Sequence, residues 1–427
     1  MTFALTLLYI ALTYLSPAEI LPVLAPYRIM LWTAVMVLLG IAFTFLMGRF
    51  PVRTPQFWLM SAFISSIAIS HLIHLQFGGA LNSLFDFMTS GIAFFAIVAT
   101  ARSTRQLRIL ILVLVLTGAG LLTRSLVAYC SGEDTNLYVL REAVRDPNTG
   151  LPTEILSRIR SVGVLSDPND FAQFLLVLLP FVFLLWRPRR SLRNICFVLV
   201  PAAYLITGVL MTQSRGAMLG LVALFVFSLA KRLPRPAQLA VAAMGLALVV
   251  VLNHGQRALS TSESSAAGRI DAWGVGIAML ESDPFFGTGY NTFLNYNDLT
   301  AHNSFVLCFA ELGLVGYFIW LGLIISTCMQ LHVVGEDDSP ADDSVAGLAN
   351  AVRLALLTFL VTSWFLSRTY IVTLYIVLGI ATSLIVLASR TSDENDAYPQ
   401  VRWPQVTVFS AIASLMAVYG FIRLKSL

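Results

Sequence analysis

The sequence predicts an all-α polytopic membrane protein with about 12–13 transmembrane helices and a large extracytoplasmic loop. Three observations predict it. Hydrophobic residues make up 57% of the 427 positions and charged residues 12%, with a mean hydropathy of +0.80. A soluble domain carries roughly 25% charged residues, so lipid must solvate most of this chain. Apolar runs recur along the whole length and leave no room for a separate soluble domain of ordinary size. The Lys and Arg residues gather in short clusters that a single topology places on one side.

A helical span needs roughly 17–25 mostly apolar residues. Such runs occupy about 3–22, 28–48, 57–77, 82–100, 107–129, 168–186, 194–212, 216–230, 237–253, 302–330, 346–366, 370–389 and 404–423. Pro17 and Pro22 break the first run, because an imide nitrogen cannot continue the helical bond pattern. No secretory signal peptide is expected. Met1-Thr2-Phe3-Ala4 lacks a basic region and no small-residue cleavage site follows.

Short cytoplasmic loops accumulate Lys and Arg. Arg49 and Arg53 form one cluster, then Arg102, Arg105 and Arg108, then Arg187, Arg189, Arg190 and Arg193. Lys231, Arg232 and Arg235 follow, and finally Arg390 and Arg402. Every cluster falls on one side of the span list. The exception is Arg423 with Lys425, which implies that the last segment is interfacial or breaks the rule. The acidic stretch Glu336–Asp343 falls inside, where carboxylates weigh little.

Two long loops, about 130–167 and 254–301, land outside, and the second holds an amphipathic-looking stretch from Gly268 to Glu281. Chemistry concentrates in loops on rigid scaffolds. The net charge of +4 reads as a topology signal, since no basic stripe with interleaved aromatics marks a nucleic-acid surface. Cys130, Cys196, Cys308 and Cys328 have neither disulfide nor metal-ligand spacing. The last three sit in apolar runs and read as packing residues. No cofactor and no metal is expected.

Four segments place polar groups at helix ends on the outer side. Ser166-Asp167-Pro168-Asn169-Asp170 begins a span, with Asp167 as N-cap and Pro168 at the first helical position. It reads equally as a plain helix start. Thr212-Gln213-Ser214-Arg215-Gly216 joins two apolar runs with almost no loop. An arginine there either snorkels or meets an anion.

Gly268-Arg269-Ile270-Asp271-Ala272-Trp273 leads to Pro284-Phe285-Phe286-Gly287-Thr288-Gly289, whose glycines suit a turn better than a phosphate cradle. Ala301-His302-Asn303-Ser304 starts a span, with Glu311 further in. A lone histidine at such a position is usually a cap or packing residue. At about 100° per residue, His302 and Glu311 face opposite sides of one helix, about 13 Å apart along it. They cannot form a direct acid–base pair. Glu311 is instead a separate intramembrane carboxylate that invites an arginine partner.

Arg215, Arg269 and His302 come from separate places, yet topology puts all three at the outer surface. His71, His74, Asp86 and Arg124 fall in the same outer half. Two guanidiniums and an imidazole suit a phosphate-bearing substrate, because arginine binds phosphate bidentately and histidine takes a proton near neutral pH.

On these motifs the sequence resembles the O-antigen ligase and O-antigen polymerase superfamily. The resemblance is best over 161–323, from the Asp-Pro-Asn-Asp element through Thr-Gln-Ser-Arg-Gly, Gly-Arg with Trp273 and Pro-Phe-Phe-Gly-Thr-Gly to Ala-His-Asn-Ser and Glu311-Leu312-Gly313. The rest matches only as membrane spans, so 1–427 reads as a single membrane domain.

The resemblance implies a fold like the C-type glycosyltransferases. It also implies a metal-independent transferase that takes a glycan from undecaprenyl diphosphate on the outer face of the bacterial inner membrane. The acceptor would be another glycan, lipid A core or a protein hydroxyl. By motif, Arg215 and Arg269 would bind the donor diphosphate and His302 would act on the acceptor. Asp167, Asp170, Asn303 and Glu311 are supporting candidates. A flippase and a chain-length regulator are the expected companions of a polymerase.

Two rival classes stay open on sequence. Proteins described as bicarbonate transporters share this domain, and outer arginines would also bind a small anion. Paired broken helices in two matching halves, the usual transporter pointer, are not visible in the sequence. The other rival is a non-enzymatic scaffold of a polysaccharide export complex.

Overall fold

The computed structural model describes residues 2–48, 50–145, 152–229, 259–336, 343–391 and 401–425, with a few positions between 234 and 244. Within them the helices are α1 (Thr2–Leu15), α2 (Ile29–Leu46), α3 (Pro55–Leu72), α4 (Phe77–Thr100) and α5 (Thr104–Ser131). Next come α6 (Pro168–Phe183), α7 (Ser191–Met211, with a π-helical stretch at Ile195–Leu199) and α8 (Arg215–Leu229). The chain continues with α9 (Leu259–Ser282), α10 (Ser304–Glu336), α11 (Asp343–Ser363), α12 (Val372–Thr391) and α13 (Trp403–Lys425). Strands β1 (Val139–Arg145) and β2 (Pro152–Ile159) form an antiparallel hairpin in which Leu140 faces Arg158 and Glu142 faces Leu156.

Eight of these helical segments are long and apolar enough to cross a bilayer, and α1, α6 and α8 are shorter apolar helices. The protein is an all-α polytopic membrane protein. The expected span 237–253 lies mostly outside the described residues.

Helix ends follow from local chemistry. Thr54 and Ser103 accept from the backbone N–H groups of Phe57 and Gln106 and so cap α3 and α5. Gly132, at φ 79°, ends α5. The first expected span, 3–22, stops at Leu15, where Ser16 turns left-handed before two short proline-led turns.

Burial separates central helices from peripheral ones. In the apolar window of α12, 89% of residues are buried, against 17% for the segment containing α2. The centre is α12 packed on α4, with α3 against α10 and α6 against α11. Phe63, Phe87, Tyr370 and Tyr375 interlock there through stacked and edge-on rings. Cys308 is buried as expected of a packing residue, but Cys196 is exposed. It lies on a helix face left for lipid.

Two expectations change. Half of the loop expected at 254–301 is the 24-residue helix α9, and the amphipathic-looking Gly268–Glu281 lies within it. The span expected at 302–330 is not one straight helix. Gly313 adopts φ 62° and ψ −170°, a conformation essentially confined to glycine, and α10 bends sharply there. Phe305 packs edge-on against Trp320 with ring centroids 5.4 Å apart, and Phe309 against Tyr317 at 5.7 Å. A straight helix would separate Phe305 and Trp320 by about 22 Å. The leading piece, 304–312, is a half-helix.

The Pro284–Gly289 loop fills the break. Leu314 and Val315 donate to the carbonyls of Pro284 and Phe285, while Thr288 and Gly289 donate to those of Ala310 and Glu311. Backbone groups freed by the bend thereby find partners, as they must away from water. A Cβ on Gly287 would lie 2.3 Å from the carbonyl carbon of Glu311, so the glycines of this motif serve close backbone approach.

Candidate active site

Three helix N-termini and one short turn build the site. At α6, Asp167 accepts from Asn169 N–H (2.7 Å), with Pro168 at the first helical position. At α8, Gln213 turns left-handed at φ 52° and Ser214 accepts from Ala217 N–H (3.3 Å). At the half-helix, His302 turns left-handed at φ 47°. Asn303 Oδ1 then accepts from Phe305 and Val306 N–H at 2.9 and 3.2 Å. Each N-terminus carries partial positive charge.

The turn between α11 and α12 ties these ends together through Arg368. Its Nε donates to Asp170 Oδ1 in the first turn of α6. Its backbone N–H donates to Ser304 Oγ at 2.7 Å. Ser304 Oγ donates in turn to the Leu366 carbonyl at 2.6 Å, and Thr369 Oγ1 to the Ser304 carbonyl at 2.7 Å. Gly216, beside Arg215, abuts Phe365 of the same turn, where a Cβ would stand 3.1 Å from that side chain.

Arg158 of β2 makes the second tie. It is buried, and donates from Nε to the Thr212 carbonyl (2.8 Å), from Nη2 to Asn169 Oδ1 (3.0 Å) and from Nη1 to Glu142 Oε1 (3.3 Å). One fork thus joins the Asp-Pro-Asn-Asp and Thr-Gln-Ser-Arg-Gly motifs.

His302 is partly buried and senses Arg269, Arg368 and Asp167. Burial first, then the positive charges of Arg269 and Arg368, push its pKa below the ordinary 6.5, and Asp167 partly opposes them. The imidazole is therefore neutral near pH 7, the form able to accept a proton. Trp273 Nε1 donates to the Ala301 carbonyl at 3.0 Å and holds the backbone next to His302 from α9. Asn303 Nδ2 and Ser367 Oγ, flanking His302 and Arg368 in sequence, are buried with no hydrogen-bond partner among the described residues. Buried donors without partners are uncommon, and they suit a bound ligand.

The structure thus brings His302, Arg269, Asp167 and Asp170 around one half-helix end, and sets Arg215 on the helix beside the Arg368 turn. Glu311 departs from expectation. Its carboxylate accepts from Phe293 N–H (3.0 Å) and Tyr370 Oη (2.8 Å) rather than from an arginine, and so fastens the loop to the half-helix. His71, His74 and Arg124 lie elsewhere too. His71 and His74 donate to the carbonyls of Tyr290 and Gly287 at 3.0 Å each. Arg124 pairs with Asp134 at 2.9 Å.

Arg368 and Arg158 are the residues that sequence reasoning missed. Arg368 stood in plain view as a lone arginine in the few residues between two spans on the side otherwise poor in basic clusters.

Fold and site together define a multi-pass membrane protein with arginines and helix N-termini gathered beside a histidine. Residues 200–321 match the family described as O-Antigen ligase. The matched segment lies within the stretch whose motifs resemble that superfamily. No curated protein matches the chain. The match encloses Arg215, Arg269 and His302, while Asp167, Asp170 and Arg368 reach them from outside it.

Proposed function

We propose that the protein is a glycan transferase, either a polysaccharide polymerase or an O-antigen ligase. It would move a glycan from undecaprenyl diphosphate to an acceptor hydroxyl on the outer face of the inner membrane, without a metal ion as the resemblance implies. One observation carries this reading: His302, at a helix N-terminus, stands in the field of Arg269 and Arg368. The acceptor oxygen attacks the anomeric carbon while its proton passes to His302. The bond from that carbon to the diphosphate breaks, and lipid-linked diphosphate departs with the electron pair. Arg215 and Arg269, aided by the positive helix ends, stabilise the charge developing on it.

The test is glycan transfer by purified Arg215→Ala, Arg269→Ala and His302→Ala proteins in lipid. Each loses a factor on the order of 10²–10³ in rate. Wild-type activity in all three folded variants overturns the assignment. The transport reading has no specific observation in its favour, and uptake of a labelled anion by proteoliposomes tests it directly.

A further inference from the structure

The ends of α6, α8 and α11 remote from His302 enclose a second feature, a cavity of about 730 Å³. Leu179 and Pro180 of α6, Leu221 and Leu224 of α8 and Leu354 of α11 wall it. Phe183 and Phe225 also line it and are 48% and 61% exposed, so the cleft opens sideways into the bilayer. Arg108, in the first turns of α5, and Arg187, just past α6, complete its lining. Both are exposed, and neither forms an ion pair among the described residues. The backbone of Arg187 is fixed by Asn194, which accepts from its N–H at 2.9 Å and donates to its carbonyl at 2.6 Å.

An apolar slot open to lipid explains a bound hydrocarbon chain, but not two arginines at its rim that face no carboxylate among the described residues. Basic pockets between transmembrane helices take anionic lipid headgroups, each arginine adding about 1 kcal/mol near the surface. From this juxtaposition we infer that the cleft holds one anionic phospholipid. An acyl chain lies between α6, α8 and α11, and the phosphate sits between Arg108 and Arg187. This site is separate from the one around His302 and does not depend on the proposed transfer reaction.

The experiment is native mass spectrometry of the full-length protein released from bilayers of mixed phosphatidylglycerol and phosphatidylcholine. Wild type retains one phosphatidylglycerol in preference to phosphatidylcholine. Arg108→Gln/Arg187→Gln weakens that retention by about 25-fold, about fivefold per arginine. Leu224→Trp, which fills the slot, abolishes retention of either lipid. Equal retention of the two lipids by wild type overturns the inference, whether or not the variants fold. Undiminished phosphatidylglycerol retention by the folded double variant also overturns it.

Discussion

Arg368 donates from Nε to Asp170, a partner 198 positions away, and that single bond joins the turn between α11 and α12 to the first turn of α6. Asp170 is only 8% exposed at its side chain and Arg368 26%. Removing one member of a buried pair leaves the other charge uncompensated, at a cost of about 3–5 kcal/mol. Asp170→Ala is expected to lower the thermal midpoint of the purified protein markedly. Arg368→Ala, whose remaining partner is the more deeply buried carboxylate, should cost at least as much. Scanning fluorimetry in matched lipid measures both.

After burial and Arg269, Arg368 also bears on the protonation of His302. Because its charge lowers the pKa of His302, Arg368→Gln should raise that pKa and move the acid limb of the pH–rate profile to higher pH. Asp167 acts with the opposite sign, so Asp167→Asn should move the limb to lower pH. In the wild type, transfer should fall as pH drops through the lowered His302 pKa and stay flat above 6.5. A limb that ignores both substitutions would remove His302 from the role of base.

Arg158 holds two motifs with one planar group, so geometry matters as much as charge. Arg158→Lys keeps the charge but cannot reproduce a fork reaching Thr212, Asn169 and Glu142 at once. The expected loss is about 1.5–3 kcal/mol of stability for each charged hydrogen bond left unmade. Rate should fall as well, since Arg215 follows Thr212 by three residues. Comparing Arg158→Lys with Arg158→Gln in both assays separates fork geometry from charge, and equal activity of all three proteins would refute a positioning role.

Gly313 is a tightly constrained backbone position. An added Cβ would lie 2.4 Å from the carbonyl carbon of Phe285, at a φ of 62°. Gly313→Ala should therefore destabilise the protein by about 3 kcal/mol or more. Protease protection of Phe285 and Phe286 should be lost before that of α12.

Much of the helical layout was legible because lipid imposes a length and an apolar composition on every span. Described helices match twelve of the runs read from the sequence within a few residues at most ends. What stayed hidden depends on pairing across distance. Gly313 sits in a run that is apolar apart from Glu311, and no proline or polar cluster announces a bend whose cause is a loop more than twenty residues upstream. Glu311 looked like a search for a cation, but its partners are a backbone N–H and a phenol, neither of which leaves a charge signature. The Arg215, Arg269 and His302 motifs were visible as residues. Arg368 and Arg158, which join the elements around them, were not, because single arginines outside motifs carry no spacing to read.

The bend in α10 bears on how the chain is made. The half-helix 304–312 is about 13 Å long, less than half the hydrocarbon thickness of roughly 30 Å, so it cannot be handed to the bilayer as a free-standing unit. Its mates, Pro284 to Gly289, leave the ribosome first. The docking loop is thus already synthesised when the reversing glycine emerges, an order of birth that a circular permutant opened between Gly289 and α10 would invert.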